Sequence, residues 1–278
     1  MTLQRDPRLF QLAFLGSFLV LGELTVGLGI PLWEPPLILA TALATQWLFA
    51  RVHKLADLGL RSALITGLGL TLLLRTDLPV LAALAAAFAI ASKFLLRVRG
   101  KHVFNPTCLA LATFMLATPR VWCSPSQWGE NTALYGWFCV LGLTVVVRAM
   151  RSDVSLTFLA AWVALKLGRI LYLGQRPAVL LHQLSAGSLI LFTFFMISDP
   201  KTTPSSRGAR ILFATSIAGL AFYLQHARWI QNGPIWALFL LAPLVPVLDR
   251  LFPAAAYVWP SAPDPLSPRS TPCPPVSA

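Results

Sequence analysis

The residues best suited to chemistry lie in two short polar segments, each placed between apolar stretches. The first reads KHVFNPTC and ends at Cys108. Its Asn105 can cap a helix that Pro106 opens, because the missing N–H of proline costs nothing at the first helical position. The free N–H groups of such a helix start, with His102 just before it, can receive a phosphate or a ring carbonyl. An ordinary helix start at a membrane surface is the alternative interpretation.

The second polar segment reads ISDPKTTPSSR and contains Asp199 and Lys201. A carboxylate at the end of an apolar stretch is costly unless it is paired or solvated. Asp199 can cap the next turn, pair with Lys201 or Arg207, or line an ion path, and capping is the role that the sequence favours. Glu23 and His182 are candidates for a proton path, since ionisable groups inside a membrane are usually functional.

The composition shows which kind of molecule must position these segments. Hydrophobic residues make up 56% of the chain, charged residues 12%, and the mean hydropathy is +0.71. Soluble domains carry about 25% charged residues, so we predict an all-α integral membrane protein without a substantial soluble domain. The net charge of +12 does not indicate nucleic-acid binding, because the bases occupy short loops between apolar runs.

Ten apolar segments are candidate membrane spans, including a first span that we expect to be retained. They are residues 10–30, 35–52, 62–74, 79–96, 105–118, 133–147, 155–167, 182–197, 211–224 and 234–251. Segments 62–74 and 105–118 are shorter than the roughly 20 residues of a full crossing and are predicted to be half-helices or buried, tilted helices. Residues 1–252 form one transmembrane domain, and the proline-rich tail, residues 253–278, is predicted to be disordered.

Lys and Arg concentrate in every second loop, as Arg97, Arg99 and Lys101 do. This alternation predicts a multi-pass protein of the bacterial inner membrane with both termini in the cytoplasm.

The two halves of the chain share a pattern. RSALITGLGLTLLLRTDLP corresponds to HQLSAGSLILFTFFMISDP, and the Asn-Pro at residue 105 corresponds to the Asn-Gly-Pro at residue 232. Five segments in each half predict two inverted repeats, about residues 10–118 and 133–251, with a binding site near the bilayer midplane. The alternative is that the small residues only let helices pack closely. Cys108 corresponds to Trp236, so no symmetric thiolate pair and no metal site is expected.

The strings GKHVFNPTCLA, LHQLSAGSLILFTFFMISDPKTTPSSRGAR and APLVPVLDRL resemble the RnfD/NqrB family over about residues 51–251. Members of this family are membrane subunits of the Rnf and sodium-pumping NADH:quinone electron-transport complexes. The resemblance implies a ten-helix inverted-repeat fold, a flavin in the membrane, and partner subunits that couple electron transfer to sodium or proton movement. It makes the chain at most a non-catalytic or flavin-carrying subunit, and no catalytic residue is assigned.

In this family, FMN is attached to the threonine of an SGAT motif in the loop between the fifth and sixth spans. Here that loop reads PRVWCSPSQWGENT; it holds the hydroxyls Ser124, Ser126 and Thr132 but no SGAT. Covalent FMN is therefore not expected, and FMN or riboflavin would be bound without a covalent link. In lacking SGAT, the chain also resembles the UnbU-like membrane proteins associated with enediyne biosynthesis clusters.

These considerations predict nine flavin-binding residues. They are Ser62, Thr66, His102, Asn105, Thr107, Ser185, Asp199, Lys201 and Thr202. Two other functions fit the same pattern: a solute transporter or channel on the inverted-repeat fold, and an accessory membrane protein of a natural-product cluster.

Overall fold

The computed structural model describes residues 6–55, 57–124, 132–255 and 257 of the chain. Every one of the ten predicted segments is helical over most of its length. The helices are α1 (Pro7–Val26), α2 (Glu34–Val52), α3 (Leu60–Leu73), α4 (Pro79–Leu95), α5 (Pro106–Ala117), α6 (Thr132–Arg148), α7 (Ser152–Tyr172), α8 (Pro177–Leu184), α9 (Gly187–Leu191), α10 (Arg207–His226), α11 (Gly233–Leu241) and α12 (Val245–Leu251). A π-helical turn, Phe192–Met196, continues α9, and a 3-10 turn, Ala242–Leu244, joins α11 to α12. Residues 125–131, which include Ser126, and almost all of the proline-rich tail lie outside the described residues.

Four helices of the described chain are long and apolar enough to cross a bilayer. They are Pro7–Val26, Ser152–Tyr172, Arg207–His226 and the continuous stretch Gly233–Leu251. Shorter apolar helices accompany them, among them α3 and α5, the two segments that the sequence predicts to be short. The 12 residues of α5 rise only about 18 Å, well below the roughly 30 Å of a hydrocarbon core.

Local sequence explains where several helices begin. The Asp6 carboxylate accepts a hydrogen bond of 3.0 Å from the Arg8 N–H and so caps α1. The Ser206 hydroxyl accepts one of 3.3 Å from the Ala209 N–H at the start of α10. Proline occupies the first turn of α1, α2, α4, α5, α8 and α11, where its fixed φ suits a helix and no N–H bond is lost.

One end of the helix bundle carries a set of ion pairs, and we name it the basic face. Lys101 binds Asp249 at 2.7 Å and Arg210 binds Asp153 at 2.6 Å. These contacts bring together the end of α4, the start of α7, the start of α10 and α12. The other end of the bundle, where α1 ends and α2 begins, is the opposite face.

Two pairs of very short antiparallel strands join helices at these faces. At the opposite face β1 (Leu74–Thr76) pairs with β4 (Val121–Cys123), and towards the basic face β2 (Arg97–Val98) pairs with β3 (Lys101–His102). The sequence predicts no strand here, because two or three residues are too few to show an alternating pattern.

An aromatic cluster joins the first helix to the second half of the chain. The Phe14 ring of α1 stacks on the Phe195 ring of the π turn at 4.6 Å between centroids, and contacts the Phe138 ring of α6 edge-on at 5.6 Å. The Phe18 and Phe138 rings lie 4.3 Å apart. This packing fixes the π turn against α1 and so positions the polar residues that follow it.

Candidate cofactor site

A cavity of about 140 Å³ lies between the starts of α1, α3 and α5 and the segment after the π turn. Its polar lining groups come from both halves of the chain. They are Arg8, Gln11, Ser62, Thr66, Lys93, His102, Asn105, Thr107, Ser198, Asp199 and Lys201. Seven of the nine predicted site residues therefore meet in one place, although they are separated by up to 139 positions (201 − 62) in the chain.

Asn105 holds the start of α5 at the cavity wall. Its Oδ1 accepts a hydrogen bond of 3.1 Å from the Cys108 N–H, which is the predicted helix cap, and its Nδ2 donates to the Met196 carbonyl at 3.3 Å. One buried side chain thus links the α5 start to the π turn. The sequence predicts the first bond but not the second, because nothing local indicates that Met196 lies beside residue 105.

Thr107 joins α5 to α3. Its hydroxyl donates to the Thr66 carbonyl at 3.4 Å. A Cβ at Gly69 would lie only 3.1 Å from the Thr107 Oγ1, so glycine allows the two helices to approach closely. The Thr66 hydroxyl is used within α3, where it donates to the Ser62 carbonyl at 3.0 Å.

Lys93 is a buried cation at the cavity that is missing from the sequence-predicted site. It comes from α4, its exposed fraction is 5%, and its Nζ donates to both the carbonyl and the hydroxyl of Ser62 at 3.0 Å. An ammonium group has three N–H donors, so one remains for a ligand. A lysine inside an apolar segment is itself a usable signal, because intramembrane charges usually mark functional sites.

Asp199 ends the π-helical segment in a tight turn. Its Oδ1 accepts a hydrogen bond of 3.0 Å from the Lys201 N–H, and its carbonyl accepts from the N–H groups of Thr202 and Thr203 at 3.1 Å each. Burial raises the pKa of Asp199, although the Lys201 N–H and nearby cations oppose that shift. Within the described part of the chain Asp199 forms no ion pair, so capping is present and pairing with Lys201 or Arg207 is not.

His102 presents a buried ring nitrogen to the same cavity. Its Nδ1 has no hydrogen-bond partner among the described residues. Burial, reinforced by the cations of Arg97 and Lys93, lowers the pKa of His102 to about 4. The imidazole is therefore neutral near pH 7 and can either donate or accept at Nδ1, depending on its tautomer.

Two predicted site residues do not line the cavity. Ser185 lies at the end of α8, where its hydroxyl donates to the His182 carbonyl at 2.9 Å. Thr202 is buried behind Asp199, and its hydroxyl donates to the Asp199 carbonyl at 3.3 Å. The sequence treats residues 182–197 as one helix, whereas the chain breaks at Ala186, whose backbone is extended. Glu23 and His182, the proton-path candidates, are both exposed.

The lining groups fit one end of a flavin nucleotide better than the whole molecule. Lys93, Lys201 and Arg8 supply cations, and the Ser and Thr hydroxyls supply neutral partners, as a phosphate or ribityl chain requires. The volume of about 140 Å³ is below the roughly 300–1,000 Å³ of pockets that enclose complete ligands. Binding a whole flavin would therefore require the lining to open.

The long apolar helices, the lipid-length spans and the polar cavity between them define a multi-pass helical membrane protein. Residues 124–257 match the model of the NQR2, RnfD, RnfE family. This match confirms the resemblance to the RnfD/NqrB family that the sequence motifs indicate.

Two curated proteins show the same relationship over shorter stretches, and each is the D component of an ion-translocating oxidoreductase complex. The protein from Stutzerimonas stutzeri is 34% identical over 77 residues, which is 28% of this chain and 22% of that protein. The protein of the same name from Tolumonas auensis (strain DSM 9187 / NBRC 110442 / TA 4) is 29% identical over 75 residues, 27% of this chain and 22% of that protein. The chain thus aligns with about a fifth of the length of these relatives.

Proposed function

We propose that this protein is a membrane subunit of an ion-translocating electron-transport complex, and that its cavity binds a flavin without a covalent bond. The observation that carries the proposal is the convergence of Lys93, His102, Asn105 and Asp199 on one cavity. The names of the two relatives support the type of complex, and they imply that other proteins of the complex supply and accept the electrons.

The proposed architecture is two inverted repeats of five helices, with the basic face in the cytoplasm. Contact between corresponding helix starts supports the repeat: the Cys108 Sγ of α5 lies 3.3 Å from the Ile235 carbonyl of α11. Ile235 directly precedes Trp236, the residue that corresponds to Cys108. Elements related by a pseudo-two-fold axis meet their own counterparts at that axis.

In the proposed complex, the bound flavin supplies one- or two-electron transfer, which side chains alone do not provide. Lys93, Lys201 and Arg8 would hold its phosphate, and the Ser62 and Thr107 hydroxyls would hold the ribityl chain. A neutral His102 would exchange a proton with a group of the cofactor within its reach. The missing SGAT motif is the reason for proposing a non-covalent site.

The test is to purify the full chain in detergent and to measure flavin absorbance before and after denaturation. We expect FMN or riboflavin that is released on unfolding without proteolysis. Lys93→Met should weaken FMN binding by roughly 10-fold or more, since a charge-assisted hydrogen bond contributes about 1.5–3 kcal/mol. Lys54→Met, which removes an exposed lysine away from the cavity, is the matched control.

Absence of flavin from the purified protein, together with no binding of added FMN or riboflavin, would exclude the cofactor site. Equal weakening by Lys93→Met and Lys54→Met would instead show that the cavity is not where the flavin binds.

Solute transport is a second candidate, favoured by the meeting of the α5 and α11 starts inside the bundle, a geometry that also builds solute paths. Uptake into proteoliposomes that contain this chain, but no electron donor, would support transport over the redox function.

A further inference from the structure

Glu34 is a buried carboxylate on the opposite face from the cavity mouth. Its exposed fraction is 0%, and neither Oε1 nor Oε2 has a hydrogen-bond donor among the described residues. A glutamate in the first turn of a helix usually accepts from nearby backbone N–H groups. Here the next two residues are Pro35 and Pro36, which have no N–H to donate. The sequence therefore removes the donors that would normally neutralise this side chain.

Arg75 is the cation that faces Glu34. It lies in β1 with an exposed fraction of 7%, and its Nη1 donates to the carbonyls of Thr71 and Leu74 at 2.9 and 2.7 Å. Its Nη2 has no partner among the described residues. The two charges are close enough to interact electrostatically, yet no ion pair joins them in the described part of the chain.

The pair is separated from the cavity by apolar packing. Leu73 of α3 lines the cavity, and Arg75 follows it by two residues towards the opposite face. Leu70, Leu72 and Leu74 around it are completely buried. The Glu34–Arg75 pair is thus a second polar site, distinct from the one proposed to bind flavin.

We propose that Glu34 is a proton-binding carboxyl, bridged to Arg75 by a water molecule and exchanging its proton with the solution at the opposite face. A buried carboxylate without donors is costly in free energy, so the group must gain a proton or a hydrogen-bonded water. A water can donate to Glu34 and accept from the Arg75 Nη2, which satisfies both groups at once. When a proton arrives, the carboxylate becomes a neutral acid whose O–H donates to the same water.

The neighbouring groups favour a proton over other ligands. The guanidinium of Arg75 repels a metal cation, and the carboxylate repels an anion. Cys123 of β4 is the other buried titratable group beside Arg75; burial raises the pKa of its thiol to about 12, so it keeps its own proton. Glu23 of α1 also acts on Arg75 but is exposed.

The experiment is infrared spectroscopy of the full chain in lipid vesicles as the pH is varied. A protonated carboxylic acid has a C=O stretch that shifts in D2O and is separate from the amide bands. We expect such a band in the wild type, its loss in Glu34→Gln, and its retention in Glu23→Gln. Arg75→Gln should move the midpoint of this band up by roughly one to three pH units, the range over which a neighbouring opposite charge shifts a carboxyl.

A band that survives in Glu34→Gln, or a wild type without a D2O-sensitive carboxyl band at any pH where it stays folded, would overturn the inference. If Glu34→Gln fails to fold, Glu34→Asp decides: the band should remain with a changed frequency, and an unchanged frequency counts against the inference. The readout needs no flavin, so its failure is distinguishable from failure of the proposed cofactor site.

Discussion

His102 has the polar side chain whose protonation most directly reports on the cavity. Its pKa is lowered to about 4 by burial and by the cations of Arg97 and Lys93, whereas an unfolded histidine titrates near about 6.5. Between these values the unfolded chain binds a proton that the native protein refuses, so the free energy of unfolding falls as the pH drops through this window.

We predict that the His102 imidazole stays neutral down to about pH 5 in NMR spectra of histidine-labelled protein, assigned with His102→Gln. The same variant should lose part of the acid destabilisation below about pH 6.5 that thermal unfolding shows for the wild type. A His102 signal that titrates at its ordinary pH would mean that the cavity is open to water at this point.

Asn105 gives a second prediction at the residue scale. Asn105→Ala removes the cap of α5 and the bond to the Met196 carbonyl together, and losing a cap alone costs about 0.5–2 kcal/mol. Thermal unfolding in detergent should show a clear decrease in Tm. Asn232→Gly is the control, because Asn232 starts α11 with a positive φ and without a side-chain cap bond, so glycine is accommodated there. Equal effects at both positions would contradict the capping role.

At the scale of elements, the contact between α6 and the π turn depends on one glycine. A Cβ on Gly142 would lie 2.7 Å from the Phe194 ring. Gly142→Ala should therefore destabilise the protein by about 1–3 kcal/mol, the usual cost of overpacking. Gly136→Ala in the same helix meets nothing within 4 Å and should be neutral or stabilising by up to about 1 kcal/mol.

The double variant Gly142→Ala with Phe194→Leu tests the mechanism, because a smaller side chain should relieve the clash. Thermal unfolding of the four proteins in this cycle gives the coupling between the two positions. No recovery in the double variant would show that the loss arises elsewhere in α6.

The elements also show which features the sequence can and cannot predict. Apolar length gives all ten helical segments, and the Asn-Pro pair at residue 105 gives the cap, since both depend on neighbours in the chain. The break at Ala186 and the π turn after it depend on packing against Phe14 and Gly142, which are distant in sequence. For the same reason Ser185 is predicted at the site but lies outside it.

At the scale of the whole molecule, loop charge makes a prediction about direction in the membrane. The basic face should lie in the cytoplasm, because cytoplasmic loops retain Lys and Arg. Leu32, which is 92% exposed between α1 and α2, lies on the opposite face, and the exposed Lys54 follows the other end of α2. In intact cells, Leu32→Cys should react with an impermeant thiol reagent, and Lys54→Cys should react only after permeabilisation. The reverse labelling would invert the assignment.

The packing of the whole molecule also explains why Lys93 is absent from the predicted site. The pattern of loop charge leaves this lysine out because it lies inside an apolar segment, while its role follows from Ser62, 31 positions away. Motif patterns identify residues near helix starts, but they do not reveal which distant backbone carbonyl will hold a cation. Contacts of this kind come only from the three-dimensional packing of the bundle.

The π turn at Phe192–Met196 has a consequence for inheritance. A π turn accommodates one residue more than the α-helix it interrupts, so loss of a single codon there would restore regular winding. The chain beyond it would then rotate by about 100°, the angle of one α-helical residue. Ser198, Asp199 and Lys201 would turn away from the cavity although none of them had changed. A one-codon deletion is thus enough to dismantle the site while leaving every residue that lines it in the gene.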